Sequence, residues 1–408
     1  MQLDRPQLQW AGPTITFVIP WYGLEVKGGA ELQCRRNAEE LCRRGVRAEV
    51  FTTTAGGLLT DWSQPAFPPG IELLNGVLVH RFPVRPRNAA RFDGLNIRLM
   101  ADEQLSLLEE AVFVREIVGS DALEAAITAT QDERLFIFIP YMFGTTYWGA
   151  RATARPFLIP CLHDESYAYM QLYRQALEAA HGLIFNSTAE QRLAHAIYDL
   201  DHPRLLMLGE GVDMDISGDA ARFRERYAIT APFMLYAGRR DVTKNTPQLL
   251  DYFQRYRATG GQLQLVCIGG AGDPLPPALL AEGAAVDLGF VPLEDKYDCY
   301  AAASLLCQPS RNESFSLVMM EAWSCGTPAL VHSDCPVTRE FCEISGGGLH
   351  FRSYEDFAGC LDWFQEHPLV AQQMGQAGAA FAHQHFRWDT ITARLIEFLR
   401  PEEASQWR

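Results

Sequence analysis

The chain holds ten cysteines in 408 residues, yet no two are spaced C-x-x-C and no Cys/His set has ligand spacing. That excludes zinc ribbons, zinc fingers and thioredoxin-like redox motifs. Several cysteines, Cys267 and Cys307 among them, sit inside apolar runs and read as reduced thiols in a cytosolic core. A long hydrophobic run is also missing. The longest, Leu135 to Phe143, is interrupted by Pro140 and falls far short of the ~20 residues that a spanning helix needs. Met1-Gln2-Leu3-Asp4-Arg5-Pro6 has no basic segment leading into an apolar stretch, so no secretory signal is read. Positive charge is in deficit. Lys and Arg number 35 against 50 Asp and Glu, a net charge of −15, which argues against wide nucleic-acid contacts. No low-complexity tract or short repeat is visible. The expectation is a soluble cytoplasmic protein, at most resting on the inner face of a membrane.

What is present is the composition of a globular α/β protein, 48% hydrophobic and 21% charged. The length exceeds one ordinary core and predicts two domains. Short apolar runs alternate with helical patterns. Strands are predicted at Thr14 to Ile19, Ala48 to Phe51, Val77 to Phe82, Leu135 to Ile139, Phe157 to Leu162 and Leu183 to Phe185. A helix from about Ala30 to Arg44 is closed by Gly45. The pattern restarts after Gly209-Glu210-Gly211-Val212-Asp213, with strands at Phe233 to Ala237, Leu263 to Ile268, Val286 to Leu288, Ser304 to Cys307 and Pro328 to Val331. Near-continuous apolar strands between helices imply parallel sheets covered on both faces. The expected fold is therefore two Rossmann-like, doubly wound domains facing across a cleft, with ligands beyond the carboxyl ends of the strands.

Four segments carry chemistry. In Pro309-Ser310-Arg311-Asn312-Glu313-Ser314-Phe315-Ser316-Leu317-Val318-Met319-Met320-Glu321-Ala322, a strand turns into a helix predicted to start near Ser314, with hydroxyls to cap it. Its first N–H groups, Phe315 to Val318, suit an anion such as a diphosphate. Glu313 and Glu321 can accept hydrogen bonds from neutral hydroxyls; the bland alternative is a surface helix with a solvated Glu321. In Tyr236-Ala237-Gly238-Arg239-Arg240-Asp241-Val242-Thr243-Lys244-Asn245, Arg239 and Lys244 lie above a strand end, where fixed cations can stabilise a leaving diphosphate. They could equally be solvated loop charges. Gly28 and Gly29, after Trp21-Tyr22-Gly23 and Lys27, permit close backbone approach to a ligand. His163, in Leu162-His163-Asp164-Glu165, is read either as a hydrogen-bonding group for a sugar hydroxyl or as a satisfied loop histidine.

Together these segments resemble the GT-B glycosyltransferases of the retaining family 4 type, glycosyl transferases group 1. Glu313 and Glu321 match an E-x7-E pair within a phrase running on to Gly326-Thr327-Pro328. Gly238-Arg239 with Lys244-Asn245 matches G-R-x-x-x-x-K-[GN]. Gly28-Gly29-Ala30-Glu31 matches G-G-A-E, and Gly211-Val212-Asp213 matches G-V-D, with Glu210 where an Asn is common. The resemblance implies an acceptor-side domain over residues 1–209, a nucleotide-sugar domain over 210–385 and, from Phe386-Arg387-Trp388, a last helix over 386–408 crossing back to the first domain. It implies that Arg239 and Lys244 bind diphosphate, that Phe315, Ser316 and Leu317 bind phosphate and sugar, and that Glu313 holds sugar hydroxyls and Glu321 ribose hydroxyls. Gly28 and Gly29 would approach the donor, and His163 would lie near the anomeric carbon. The implied reaction moves a hexose-type sugar from a UDP- or GDP-linked donor to a saccharide, lipid-linked or small-molecule hydroxyl. Configuration is retained, and no metal or cofactor is needed.

Other features are weighed against this reading. Asp213-Met214-Asp215 is a D-x-D placed in a linker, where a metal role is not expected. Gly269-Gly270-Ala271-Gly272 lacks the third glycine of a dinucleotide fingerprint, and Pro274 and Pro276 follow. Arg81, Arg85, Arg87, Arg91 and Arg98, with Arg35, Arg36, Arg43, Arg44 and Arg47, make the first domain locally basic. That could dock it on anionic lipid or hold an acidic acceptor, although a plain solvated face is the simpler reading. Two alternative functions are a nucleotide-sugar epimerase of the same fold and a non-catalytic sugar-binding protein. The E-x7-E phrase disfavours the first and the Arg239/Lys244 pair the second.

Overall fold

The computed structural model describes residues 7–400 apart from 27, 202, 203 and 271. The described residues form two compact units. One runs to Gly211 and takes up the chain again from Asp389; the other is Val212–Trp388.

The first unit holds β1 (Thr14–Val18), β2 (Ala48–Thr53), β3 (Gly70–Leu74), β4 (Val77–Phe82), β5 (Arg134–Phe138), β6 (Phe157–Leu158), β7 (Gly182–Phe185) and β8 (Leu205–Met207), in the order β3-β4-β2-β1-β5-β6-β7-β8. All neighbours are parallel except β3 and β4. β1, β2 and β5 are buried almost throughout, because helices cover both faces and no polar alternation is needed. The edge strand β3 departs from the expected all-parallel sheet. Asn75 and Gly76, both at positive φ, close a two-residue hairpin onto β4, a turn in which such a pair is favoured. β8 was likewise not anticipated, and the strand expected over Phe157 to Leu162 keeps its pairing only to Leu158, since Cys161 turns left-handed at φ 52°.

The second unit holds β9 (Phe233–Ala237), β10 (Gln264–Ile268), β11 (Ala285–Asp287), β12 (Leu305–Gln308), β13 (Ala329–His332) and β14 (Gly348–Phe351), parallel throughout in the order β11-β10-β9-β12-β13-β14. β14 was not anticipated. Strand order reverses at β1 in the first sheet and at β9 in the second. A crevice therefore opens beyond the carboxyl ends of β1 and β5, and another beyond β9 and β12.

The last helix, Trp388–Leu399, presents Ile391, Leu395 and Leu399 as one buried stripe. It belongs to the first unit: Asp389 pairs with Arg44, and the Phe398 ring lies 5.8 Å from that of Phe157. Beside it, Val212 bridges to Arg387, and Trp388 Nε1 donates to Asp213 at 3.1 Å, giving the D-x-D aspartate a structural partner.

The arginines expected as an open basic face are largely consumed within the first unit. Arg81 is buried against Glu72, and Arg85 against Glu124 and Asp121. Arg87 donates to the Glu116 carbonyl at 2.7 Å, and Arg98 reaches Glu103 at 2.9 Å and Glu109 at 2.5 Å. Arg43 and Arg44 both pair with Glu40. Carboxylates thus pair with at least five of the ten arginines named from sequence. Among the described residues no helix is long and apolar enough to cross a membrane.

The second unit's helix Pro368–His385 crosses the turn after helix Leu317–Ser324 with no room to spare. A Cβ on Gly375 would stand 1.9 Å from the Gly326 carbonyl oxygen, a backbone atom that cannot swing aside. Alanine gains about 1 kcal/mol of helix propensity over glycine, while overpacking costs about 1–3 kcal/mol. With backbone as the obstacle, the cost should win. Gly375→Ala should lower the midpoint of thermal unfolding; an unchanged or raised midpoint would show that the two segments can separate freely.

Candidate active site

In the second unit, two loops flank the reversal of strand order. The loop after β9 begins at Gly238 and continues through Arg239 to a short turn at Val242–Lys244. Asp241 accepts the N–H groups of Thr243 and Lys244 at 2.9 and 3.1 Å, which shapes that turn. Arg239 is about 40% exposed, pairs with Asp241 and donates to Thr243 Oγ1 at 3.2 Å. Its neighbour Arg240 is buried and meets Asp287 with both terminal nitrogens, at 3.1 and 2.6 Å. Gly272, from the run that falls short of a dinucleotide fingerprint, has a packing role here: a Cβ on it would stand 2.0 Å from the Arg240 carbonyl oxygen.

The loop after β12 carries Glu313. Lys244 Nζ donates to Glu313 Oε1 at 2.8 Å and Gln308 Nε2 donates to the same oxygen at 3.0 Å. Oε2 keeps no partner among the described residues. The two flanking loops are thus joined by an ion pair. Glu321 does not extend into solvent: Lys296 reaches both of its oxygens, at 2.8 and 2.7 Å, and the Tyr300 hydroxyl donates to Oε2 at 2.9 Å. Burial and the adjacent carboxylate push the Tyr300 hydroxyl well above its ordinary range, so it stays a donor.

The helix begins later than expected, at Leu317, and no hydroxyl caps it. Ser316 occupies the left-handed region at φ 81°, where a non-glycine residue is strained and helix cannot continue. Its carbonyl accepts the N–H of Met319 at 3.1 Å, and its hydroxyl lies 3.4 Å from Gln308 Nε2. Among the described residues, no acceptor takes the N–H groups of Leu317 and Val318. Phe315 is buried, ring to ring with Phe341 and Phe386 at 5.6 and 4.8 Å, so it anchors the turn with its side chain and has only its backbone to offer.

In the first unit, Gly28 and Gly29 open the helix Gly29–Arg43 beyond β1. A Cβ on Gly29 would meet nothing within 4 Å, whereas one on Gly28 would run into the Glu31 carboxylate, which Trp21 Nε1 approaches at 2.5 Å. Lys27 lies outside the described residues. His163 follows β6 on a loop pinned from behind. Glu190 accepts the N–H of Leu162 on one oxygen and of Asn186 on the other, both at 2.6 Å, and Asn186 bonds Gln33 at 2.6 Å. His163 Nδ1 stands 3.8 Å from Glu165 Oε1, which the Tyr141 hydroxyl also approaches at 3.4 Å. The structure thus brings Arg239, Lys244, Glu313 and the start of helix Leu317–Ser324 around the second crevice, with Glu321 in that helix. It places Gly28, Gly29 and His163 on loops of the first sheet. Lys296, Tyr300, Gln308 and Glu165 were not singled out from sequence. Among the described residues no three His, Cys, Asp or Glu side chains are grouped to hold a metal ion.

The family profile described as glycosyl transferases group 1 matches residues 219–381, the segment carrying both crevice loops. That segment belongs to the group 1 glycosyltransferase family. The chain is 26% identical to the D-inositol 3-phosphate glycosyltransferase of Saccharomonospora viridis, with 94% of this chain and 91% of that protein aligned. With the protein of the same name from Geodermatophilus obscurus it shares 27%, over 90% of this chain and 84% of that one. Its fold is GT-B. Sucrose-phosphate synthase from Thermosynechococcus elongatus superposes with a TM-score of 0.70 at 18% identity, covering 94% of this chain and 98% of that one. Anabaena HepE in complex with UDP and glucose superposes with a TM-score of 0.69 at 17%, covering 95% and 99%.

Burial pushes the Glu165 carboxyl up to about 7, the Tyr141 hydrogen bond pulling only weakly the other way. Between about pH 4.5 and 7 the folded protein then holds a proton that the unfolded chain has lost, so this group's contribution to stability falls as pH rises through that window. Glu165→Gln has no such proton to lose. Urea unfolding of both proteins across the window should show the variant gaining on the wild type as pH rises; a constant difference would place the Glu165 titration elsewhere.

Proposed function

We propose that the glycosyltransferase moves a hexose-type sugar from a UDP- or GDP-linked donor to an acceptor hydroxyl, with retention of configuration and without a metal. The observation that carries this reading is the Lys244–Glu313 pair at 2.8 Å, beside unclaimed N–H groups at a helix start. A diphosphate suits those N–H groups, and Lys244 and Arg239 supply the positive charge that a leaving diphosphate needs as its charge grows. Glu313 has an unengaged Oε2 for a sugar hydroxyl, and Glu321 accepts from the ribose. Phe315, Ser316 and Leu317 contribute backbone groups, and Gly28 and Gly29 leave the donor space. We assign His163 to the neighbourhood of the anomeric carbon. In the reaction the bond from that carbon to the diphosphate oxygen breaks and the acceptor oxygen bonds to the same face. The acceptor proton passes to the leaving phosphate, so no carboxylate nucleophile is needed. The acceptor is a saccharide, a lipid-linked saccharide or a small molecule. The group 1 match favours transfer over the epimerase and the binding-protein alternatives.

Glu313 touches the sugar that develops charge, whereas Glu321 holds a group remote from the chemistry. Contacts made only in the transition state appear in kcat and uniform binding contacts in KM. Glu313→Gln should therefore lower kcat by about a hundredfold, the scale of a lost transition-state contact. Glu321→Gln should mainly raise donor KM. Steady-state kinetics with UDP- and GDP-linked hexoses reads both, and equal kcat losses would defeat the assignment. Transfer should also persist in excess EDTA; its abolition there, with recovery on adding magnesium or manganese, would refute metal independence.

A further inference from the structure

We propose that Lys296 and Tyr300 are positioning residues that leave Glu321 a single directed acceptor, on Oε1, and so restrict the site to nucleotides bearing one particular ribose hydroxyl. The inference rests on the reading of Glu321 as the ribose contact. It adds how the carboxylate is held and what selectivity follows.

Lys296 and Tyr300 stand four residues apart on helix Leu293–Ala302, so they share one face, one turn apart. Both aim at the same carboxylate. Lys296 Nζ lies 2.8 Å from Oε1 and 2.7 Å from Oε2, bridging the two oxygens almost symmetrically. The Tyr300 hydroxyl donates to Oε2 at 2.9 Å. An ionised carboxylate offers roughly four acceptor positions, two on each oxygen. Oε2 has both taken and Oε1 has one taken, so the open position lies on Oε1. The donors are fixed in turn: Tyr300 is fully buried, and its carbonyl accepts the Thr327 hydroxyl at 2.6 Å, tying this helix to the turn that follows helix Leu317–Ser324. The Glu321 side chain is only 12% exposed, so an isolated carboxylate there would lose hydration and would repel an anionic nucleotide. Lys296 removes both penalties and fixes the carboxylate's direction.

A carboxylate held in this way accepts from one ribose hydroxyl. Released from Tyr300 it gains a second open position, and released from Lys296 a second and a third, with freedom to turn, and it can then satisfy either hydroxyl. The test is isothermal titration with UDP and GDP and with their 2′-deoxy and 3′-deoxy counterparts, on the wild type, Lys296→Met, Tyr300→Phe and Glu321→Ala. Melting curves confirm that each variant is folded, and the near-isosteric Tyr300→Phe guards against loss of fold in the lysine variant. The wild type should lose about tenfold in affinity for one of the two deoxy nucleotides and little for the other, the scale of one hydrogen bond to a charged group. In Lys296→Met and Tyr300→Phe that gap should close to about twofold. The inference is overturned, with the ribose reading intact, if Glu321→Ala abolishes the gap while both other variants keep it. It is overturned in the same way if the wild type loses affinity alike for both deoxy nucleotides. If the wild type loses affinity for neither, if Glu321→Ala keeps the gap, or if neither UDP nor GDP binds, the ribose reading itself fails and takes this inference with it.

Discussion

The ion pair between Lys244 and Glu313 ties together the two loops that leave the second sheet where its strand order reverses. Everything proposed for donor binding hangs on that tie. Its worth is not chiefly in stability. The side chains are 33% and 11% exposed, and a pair so placed gains modest Coulomb energy against the cost of dehydrating the carboxylate. What it provides is position. Lys244 is held over the crevice rather than free to sample solvent, and Glu313 has one oxygen committed and the other presented. On the proposed reading, an incoming diphosphate would compete for the ammonium, because it offers negative charge where the carboxylate already does.

The start of helix Leu317–Ser324 depends on the same loop. Ser316 adopts a left-handed backbone that costs free energy for any residue with a Cβ, and it persists because its surroundings hold it. Phe315 is locked among Phe341 and Phe386, and Gln308, which also bonds Glu313, lies within reach of the serine hydroxyl. The strain leaves helix N–H groups without an internal acceptor at the mouth of the crevice. A hydroxyl cap, as the serines in the sequence suggested, would have taken one of those groups out of reach of any ligand.

Most of the fold was legible because buried parallel strands write themselves as unbroken apolar runs; β1, β2, β5, β9 and β10 lay within a residue or two of expectation. The strands missed are those at or near the sheet edges. β3 is exposed along its length and has no apolar run to betray it, although Asn75-Gly76 was the available signal. β8 and β14 are short and only partly buried. In the site, the motif positions were legible and their partners were not. Lys296 and Tyr300 sit on a helix before β12, and nothing in their spacing says that the helix turns them toward Glu321. That depends on how two helices separated by a strand pack, which is tertiary information.

Arg239 and Arg240 make the same point within two consecutive residues. Composition and charge treat them alike, and a loop reading assigns both to solvent. The structure separates them by register alone. Leaving β9 past Gly238, alternate side chains turn to opposite sides. Arg240 turns inward to Asp287 at the end of β11, where a planar fork meeting two carboxylate oxygens makes the pair directional. Arg239 turns outward and is held only by its own loop, through Asp241 and Thr243. Losing Arg240 would leave Asp287 with only the Gly289 N–H, at 3.0 Å, and would unfasten the loop from β11. Losing Arg239 would leave the loop's frame in place and remove a charge from its rim. An arginine built into the frame cannot also follow a ligand whose charge changes during reaction, whereas one tethered at the rim can. On physical grounds, then, Arg239 is the one open to the diphosphate proposed above, and Arg240 is what keeps its loop in place.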